Sequence, residues 1–144
     1  MNIQREELNF ILQHTDIKSL KELYKKIKDK HKVTVLQAPT TQTLLQPVND
    51  PISEGKFYAG EILVTTTIVS VGNSTNKGWA MVEDENEKLS LYISVCDGAY
   101  GAGIMQYEIA SLVKQTTINM KIEQHKLNQK VNATKVNFDL MAQE

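Results

Sequence analysis

The sequence predicts an α+β fold: an N-terminal helical hairpin, an antiparallel sheet of about four strands with a central β-hairpin, and C-terminal helices that include one long helix. Three observations predict it. Apolar residues recur at helical spacing over the first thirty residues, β-branched residues crowd the stretch from 57 to 71, and from about residue 104 apolar positions step by four and three beyond residue 130. Helices first, strands next and helices last is the order of an α+β domain with an antiparallel sheet.

Residues 3 to 14 predict the first helix, with Ile3, Phe10 and His14 on one side and Leu8, Ile11 and Leu12 beside them. Thr15-Asp16 offers the N-cap of a second helix, whose apolar stripe is Ile17, Leu20, Tyr24 and Ile27. Lysines at 18, 21, 25, 28 and 32 add a basic flank, and the two-residue connection makes the pair a helical hairpin. Val33-Thr34-Val35-Leu36 is a strand candidate broken by Pro39. Thr43-Leu44-Leu45 is another, ahead of the loop Pro47-Val48-Asn49-Asp50-Pro51. Phe57 to Val71 is the strongest strand. Gly72-Asn73-Ser74-Thr75-Asn76 turns the chain, and Lys77 to Glu83 returns with Trp79 and Met81 on one face and Gly78, Ala80 and Val82 on the other. Asp84, three residues before Glu87, fits a capping box for a helix that carries Leu89, Tyr92, Ile93 and Cys96 and ends at Gly98. The long helix presents Ile109, Val113, Thr116, Met120, Leu127, Val131, Thr134 and Phe138 along one stripe.

At 144 residues the chain predicts a single domain, 1–144, which is long enough to bury about 70% of its unfolded surface without staples. A formal net charge of -1 steers it toward neither nucleic acid nor an anionic membrane. No apolar run reaches the length of a membrane span, because Ile62-Leu63-Val64 gives way to three threonines. The start, MNIQREELNF, has no apolar leader, and Cys96 is the single cysteine, so a cytoplasmic protein is expected. Asn132-Ala133-Thr134 fits the N-glycosylation pattern, but in that compartment it reads as a chance match.

Chemistry-bearing residues are sparse. His14, His31 and His125 have no partner at metal-ligand spacing, and Cys96 has neither a CxxC nor an HxxxH companion, so no metal site is expected. Cys96 lies on an apolar stripe, where a small core residue fits better than a nucleophile. Asp97-Gly98-Ala99-Tyr100-Gly101-Ala102-Gly103 lacks the lysine and hydroxyl of a P-loop and reads as an interhelical hinge. The acidic run Glu83-Asp84-Glu85-Asn86-Glu87 suits a hairpin exit and a negatively charged first helical turn better than a cation site. The lysine flank of the second helix could meet a polyphosphate, or simply be a solvated face. No catalytic residues are predicted.

Two blocks are more specific. Lys56-Phe57-Tyr58-Ala59-Gly60-Glu61 opens the long strand, and Lys130-Val131-Asn132-Ala133-Thr134-Lys135-Val136-Asn137-Phe138 lies near the C-terminus. Together with the Gly78-Trp79 strand and Asp97, they resemble the PhnG family, small subunits of the bacterial carbon–phosphorus lyase system. The resemblance covers about residues 32 to 141. Relatives often carry an Ala-Glu pair, sometimes preceded by His, in the helix before that aspartate, where this chain has Leu89-Ser90-Leu91. The resemblance implies an accessory subunit of the complex that replaces the adenine of ATP with an alkylphosphonate, giving ribose 1-phosphonate 5-triphosphate. It implies PhnH-, PhnI-, PhnJ- and PhnL-type partners, MgATP as substrate of the complex, and no cofactor on this chain. It marks Phe57, Tyr58, Gly60, Glu61, Val131, Asn132, Thr134, Lys135 and Phe138 as positions of a partner interface. The other reading is a stand-alone, homo-oligomeric ligand-binding domain of the same fold without catalytic activity.

Overall fold

A computed structural model describes the backbone of residues 3–52, 55–73 and 75–142, and the side chains over these ranges except at 46, 56–59 and 135–142. The element order is α1 (Arg5–Gln13), α2 (Ile17–Lys30), β1 (Val33–Asn49), β2 (Lys56–Val71), β3 (Lys77–Glu83), α3 (Glu87–Gly101) and α4 (Gln106–Ala142). The sheet is antiparallel in the order β1-β2-β3. The α+β class, the helical hairpin, the central β-hairpin and the long C-terminal helix are all present.

The sheet has three strands because the two expected segments at 33–36 and 43–45 are parts of one strand, β1, which also takes in much of the expected loop at 47–51. Pro39 and Pro47 do not break it. Proline removes a ladder N–H, which an edge strand tolerates, and both residues sit at register shifts, between Gln37 and Thr40 and between Gln46 and Pro47. Its partner β2 is nearly as long, whereas β3 pairs only with Val64–Ser70 of β2. Residues 43–49 and 56–63 therefore form a two-stranded ribbon that extends past the third strand.

The core lies between the sheet and the helices, with Ile109 and Val113 the contribution of α4. Leu8 and Leu12 of α1, Leu20, Leu23 and Ile27 of α2, and Val69, Val71, Ala80 and Val82 of the sheet close around α3. The stripe of α2 is rotated from the expected one: Leu23 is buried and Ile17 is exposed, while Tyr24 stacks on Tyr92 with ring centroids 4.8 Å apart. Helix α3 is buried on nearly every side, from Tyr92 through Ala99, which explains its small residues. It does not end at Gly98 but continues to Gly101. Gly98 lies where α3 meets β3, and a Cβ added there would lie 3.1 Å from the Gly78 Cα. The N-cap of α3 is Asn86 rather than Asp84: its Oδ1 accepts the Leu89 N–H at 3.2 Å, while Asp84 takes a left-handed turn conformation, φ 63°.

Polar residues fasten the layers. The Thr67 and Ser90 hydroxyls lie 2.7 Å apart, and the Thr65 hydroxyl donates to the Asp84 carbonyl at 2.7 Å while accepting the Asn86 N–H. Helix α1 covers the outer edge of β3 with Arg5, Asn9 and Gln13, spaced four apart. Arg5 donates to the Lys77 carbonyl, Asn9 both donates to and accepts from Met81 at 2.9 and 3.0 Å, and Gln13 accepts the Glu83 N–H. From Asn9 to Gln13 the helix advances about 6 Å, close to the roughly 6.7 Å of strand from Met81 to Glu83, and the longer Arg5 side chain reaches four strand residues back to Lys77. The Trp79 N–H in between is taken by Asp97 of α3 at 2.9 Å. The edge that would otherwise invite another strand is thus closed.

Cys96 is fully buried, as its place on the α3 stripe predicts, and burial, with a smaller contribution from the Asp97 charge, pushes its thiol from 9.0 up to about 12. A thiol-specific reagent at pH 8 is expected to leave the native protein unlabelled and to react once urea unfolds it, with absorbance following the unfolding transition. The same shift sets a sign for pH dependence. Because the folded state holds this proton more tightly, stability is unaffected by Cys96 below about pH 9 and falls as pH rises from there toward 12.

Candidate partner interface

Among the described residues no group of three or more His, Cys, Asp or Glu side chains is placed to hold a metal ion. His14 packs edge-on against Phe10, His31 caps the end of α2, and His125 lies beside Gln129 on α4. The glycine cluster is taken up by structure. Gly98 and Gly101 belong to α3, so the turn between helices shrinks to 102–105, where Gly103 and Met105 have positive φ. The expected hinge is therefore shorter than the run of glycines suggests. The acidic run forms the β3–α3 turn. The α2 lysines are exposed, and Lys28 lies 5.7 Å from the centre of the Tyr24 ring. Ser90, in the stretch where relatives carry Ala-Glu, is fully buried against Thr67 and the Thr65 carbonyl, so that position faces the sheet and offers nothing to a ligand.

The signature positions fall on two outlying elements. In the ribbon, Phe57 and Tyr58 pair in backbone register with Val48 and Pro47, Gly60 with Gln46 and Glu61 with Leu45. Gly60 and Glu61 are exposed, whereas the side chains of Phe57 and Tyr58 lie outside the described residues. Around them Leu44, Leu45, Ile62 and Leu63 are left open to solvent on a two-stranded ribbon, an arrangement that is marginal in water by itself. A Cβ added at Gly60 would meet nothing within 4 Å, and its φ is not positive, so neither close packing inside this chain nor a special backbone conformation calls for glycine there.

On α4, Ile109, Val113 and Thr116 are buried, and Thr116 shares a hydrogen bond with Thr15 at 2.7 Å. From 121 to 134 every residue is exposed. Leu127 and Val131, the continuation of the buried stripe, are more than half exposed, and Asn132 and Thr134 are exposed as well; the Thr134 hydroxyl merely donates to Lys130 one turn back. Residues 121–134 therefore do not pack into the core among the described residues. The side chains of Lys135 and Phe138 lie outside the described residues. The two blocks are not brought together: α4 packs on α1, α3 and α2, and among the described residues it makes no substantial contact with the sheet.

The family model described as phosphonate metabolism protein PhnG matches residues 3–143. The chain belongs to the PhnG family. The match reaches back through α1 and α2, where the signature blocks alone carried no resemblance, and it makes the chain one of the components of phosphonate metabolism. Among curated proteins, none matches it. No helix among the described residues is long and apolar enough to cross a membrane.

Sequence reasoning missed two features around this surface. One is the row Arg5, Asn9 and Gln13 on β3, whose four-residue spacing was visible but whose target was not. The other is an apolar groove between α1 and α4, which only the packing of those helices creates.

Proposed function

We propose that this PhnG-family chain is an accessory subunit of the carbon–phosphorus lyase system, in the complex that exchanges the adenine of ATP for an alkylphosphonate to give ribose 1-phosphonate 5-triphosphate. The observation that carries this reading is the coincidence of both signature blocks with exposed apolar surface on two elements that extend beyond the core. The reaction develops positive charge at the ribose carbon and has a triphosphate to neutralise, which calls for convergent anions, cations or magnesium. On this reading the chemistry belongs mostly to PhnH-, PhnI- or PhnL-type partners, and MgATP is substrate of the assembly rather than a cofactor of this chain. The open space around Gly60 fits a site where a partner's backbone approaches closely.

A second reading, a homo-oligomeric ligand-binding domain, draws support from the outer edge of β1, which pairs with no strand among the described residues. Mixing the purified chain with PhnI-type and PhnH-type subunits and measuring mass in solution separates the two. A stable hetero-oligomer is expected. A homo-oligomer that ignores both subunits overturns the leading reading.

Within that complex, Phe138→Ala and Val131→Asp are expected to weaken copurification with the PhnI-type subunit at least ten-fold while shifting the melting temperature of the free chain by less than about 2 °C. Val131 is exposed, and surface substitutions away from buried networks stay within about 0.5 kcal/mol. Undiminished copurification of both variants removes the C-terminal helix from the interface.

A further inference from the structure

An open groove of about 690 Å³ lies between α1 and α4, lined by none of the signature positions. Its floor is apolar, with Phe10, Ile11 and Met120, and Phe10 is 60% exposed although it is a large aromatic residue on a helix that otherwise buries its apolar side chains. The walls differ in charge. On the α1 side stand Glu6 and Glu7; on the α4 side stand Lys114 and Lys121, one pair on each rim. All four are exposed, and among the described residues none of them forms an ion pair. The polar groups nearby do not converge on a small ligand: the Thr117 hydroxyl donates to the Val113 carbonyl, and the charged side chains are spread along the rims. A nucleotide or phosphonate would find an apolar floor and no donors aimed at it.

We propose that this groove receives one amphipathic helix of a partner subunit, about three turns long, with apolar residues at i, i+3, i+4 and i+7, basic residues along the flank facing α1 and acidic residues along the flank facing α4. The proposal rests on the subunit reading above and assigns that subunit a docking mode. The lining of α4 runs from Val113 to Gln124, which at 1.5 Å per residue is about 16 Å, or three helical turns. An apolar floor of that length between two helices is the form of a helix-in-groove site. Rims of opposite sign do more than attract. Turning the incoming helix end for end exchanges its flanks, so a helix with one basic and one acidic flank fits in a single direction. The groove sets polarity as well as position, because like charges face each other in the wrong direction.

The test uses three end-blocked, fluorescent 14-residue helical peptides with the same leucine face: one with a lysine flank and a glutamate flank, one with lysine on both and one with glutamate on both. Anisotropy titration onto the full chain is expected to give the mixed peptide at least ten-fold tighter binding than either single-sign peptide. Lys114→Glu with Lys121→Glu makes both rims acidic and is expected to move the preference to the all-lysine peptide. Phe10→Asp, at an exposed position, is expected to keep the native circular dichroism and lose binding. Equal affinity for all three peptides, indifference to Phe10→Asp, or no saturable binding overturns the proposal. So does a chain that dimerises through the groove, shown by a mass that Phe10→Asp halves, because the occupant is then a second copy. Copurification with PhnI-type and PhnH-type subunits keeps the two levels apart. A Phe10→Asp chain that assembles normally removes the groove and leaves the subunit reading standing, whereas a wild-type chain that joins neither subunit removes the reading itself.

Discussion

Gly78→Val is expected to leave no folded protein at 25 °C, and Gly78→Ala to lower stability by more than about 4 kcal/mol, beyond the usual 1–3 kcal/mol of overpacking. A Cβ at Gly78 would lie 2.0 Å from the Ser94 carbonyl oxygen and 2.7 Å from the Gly98 nitrogen. Both are backbone atoms of α3, so no side chain can rotate away, and relief requires moving the most buried helix of the molecule off the sheet. A loss of that size consumes much of the 5–15 kcal/mol by which ordinary domains are stable. The effect is graded. At Gly98 the nearest atoms are a Val71 methyl at 2.9 Å and the Gly78 Cα at 3.1 Å, so Gly98→Ala is expected to cost about 1–3 kcal/mol. Gly60→Ala, with open space around it, is expected to change the free chain by less than about 0.5 kcal/mol. Urea titration of the three alanine variants measures the order; a Gly78→Ala midpoint equal to wild type means that α3 and β3 do not touch through these glycines.

The glycine pair also shows what the chain discloses before it is folded and what it does not. Alternation in 77–83 placed Gly78, Ala80 and Val82 on one face, and the structure puts that face against α3. The reason for glycine there depends on Gly98, twenty residues away, and no local pattern connects the two. The same separation explains the errors. Pro39 is a strand breaker in general but tolerable on an edge, and whether β1 is an edge depends on pairing with β2. Asp84 and Asn86 both suit an N-cap, and the choice follows from Thr65 holding the Asp84 carbonyl and the Asn86 N–H. Site positions were legible to a smaller degree. The seam of α4 was readable as a stripe through Thr134, but where the stripe leaves the core, near Met120, follows from how far α1 reaches along it. The groove itself has no sequence signature, since Glu6 and Lys114 come together only through packing.

Asp97→Ala is expected to cost about 2–4 kcal/mol, the second largest loss after Gly78. Asp97 is 8% exposed and both carboxylate oxygens are engaged: Oδ1 accepts Arg5 Nε at 3.0 Å, and Oδ2 accepts the Trp79 N–H at 2.9 Å and an Arg5 terminal nitrogen at 3.2 Å. Alanine leaves the strand N–H with no acceptor and takes the anchor from α1. Removing one member of a buried pair typically costs about 3–5 kcal/mol, and the lower figure here reflects the Arg5 side chain, 36% exposed, which can turn to water and keeps the Lys77 carbonyl as acceptor. Arg5→Met is therefore expected to cost less than Asp97→Ala. The double variant is expected to be less destabilised than the sum by about 0.5–3 kcal/mol, the interaction energy of groups in contact. The outcome bears on function because Asp97 fits the family pattern, and a patterned acid invites a catalytic reading. Its geometry is that of a tie between α1, α3 and β3: no oxygen is left to face a substrate. Asp97→Asn, which keeps an acceptor for Trp79, is accordingly expected to lower the melting temperature while the assembled complex turns over within about three-fold of wild type below that temperature. A hundred-fold fall in turnover with unchanged melting would make Asp97 a reacting group and place chemistry on this chain.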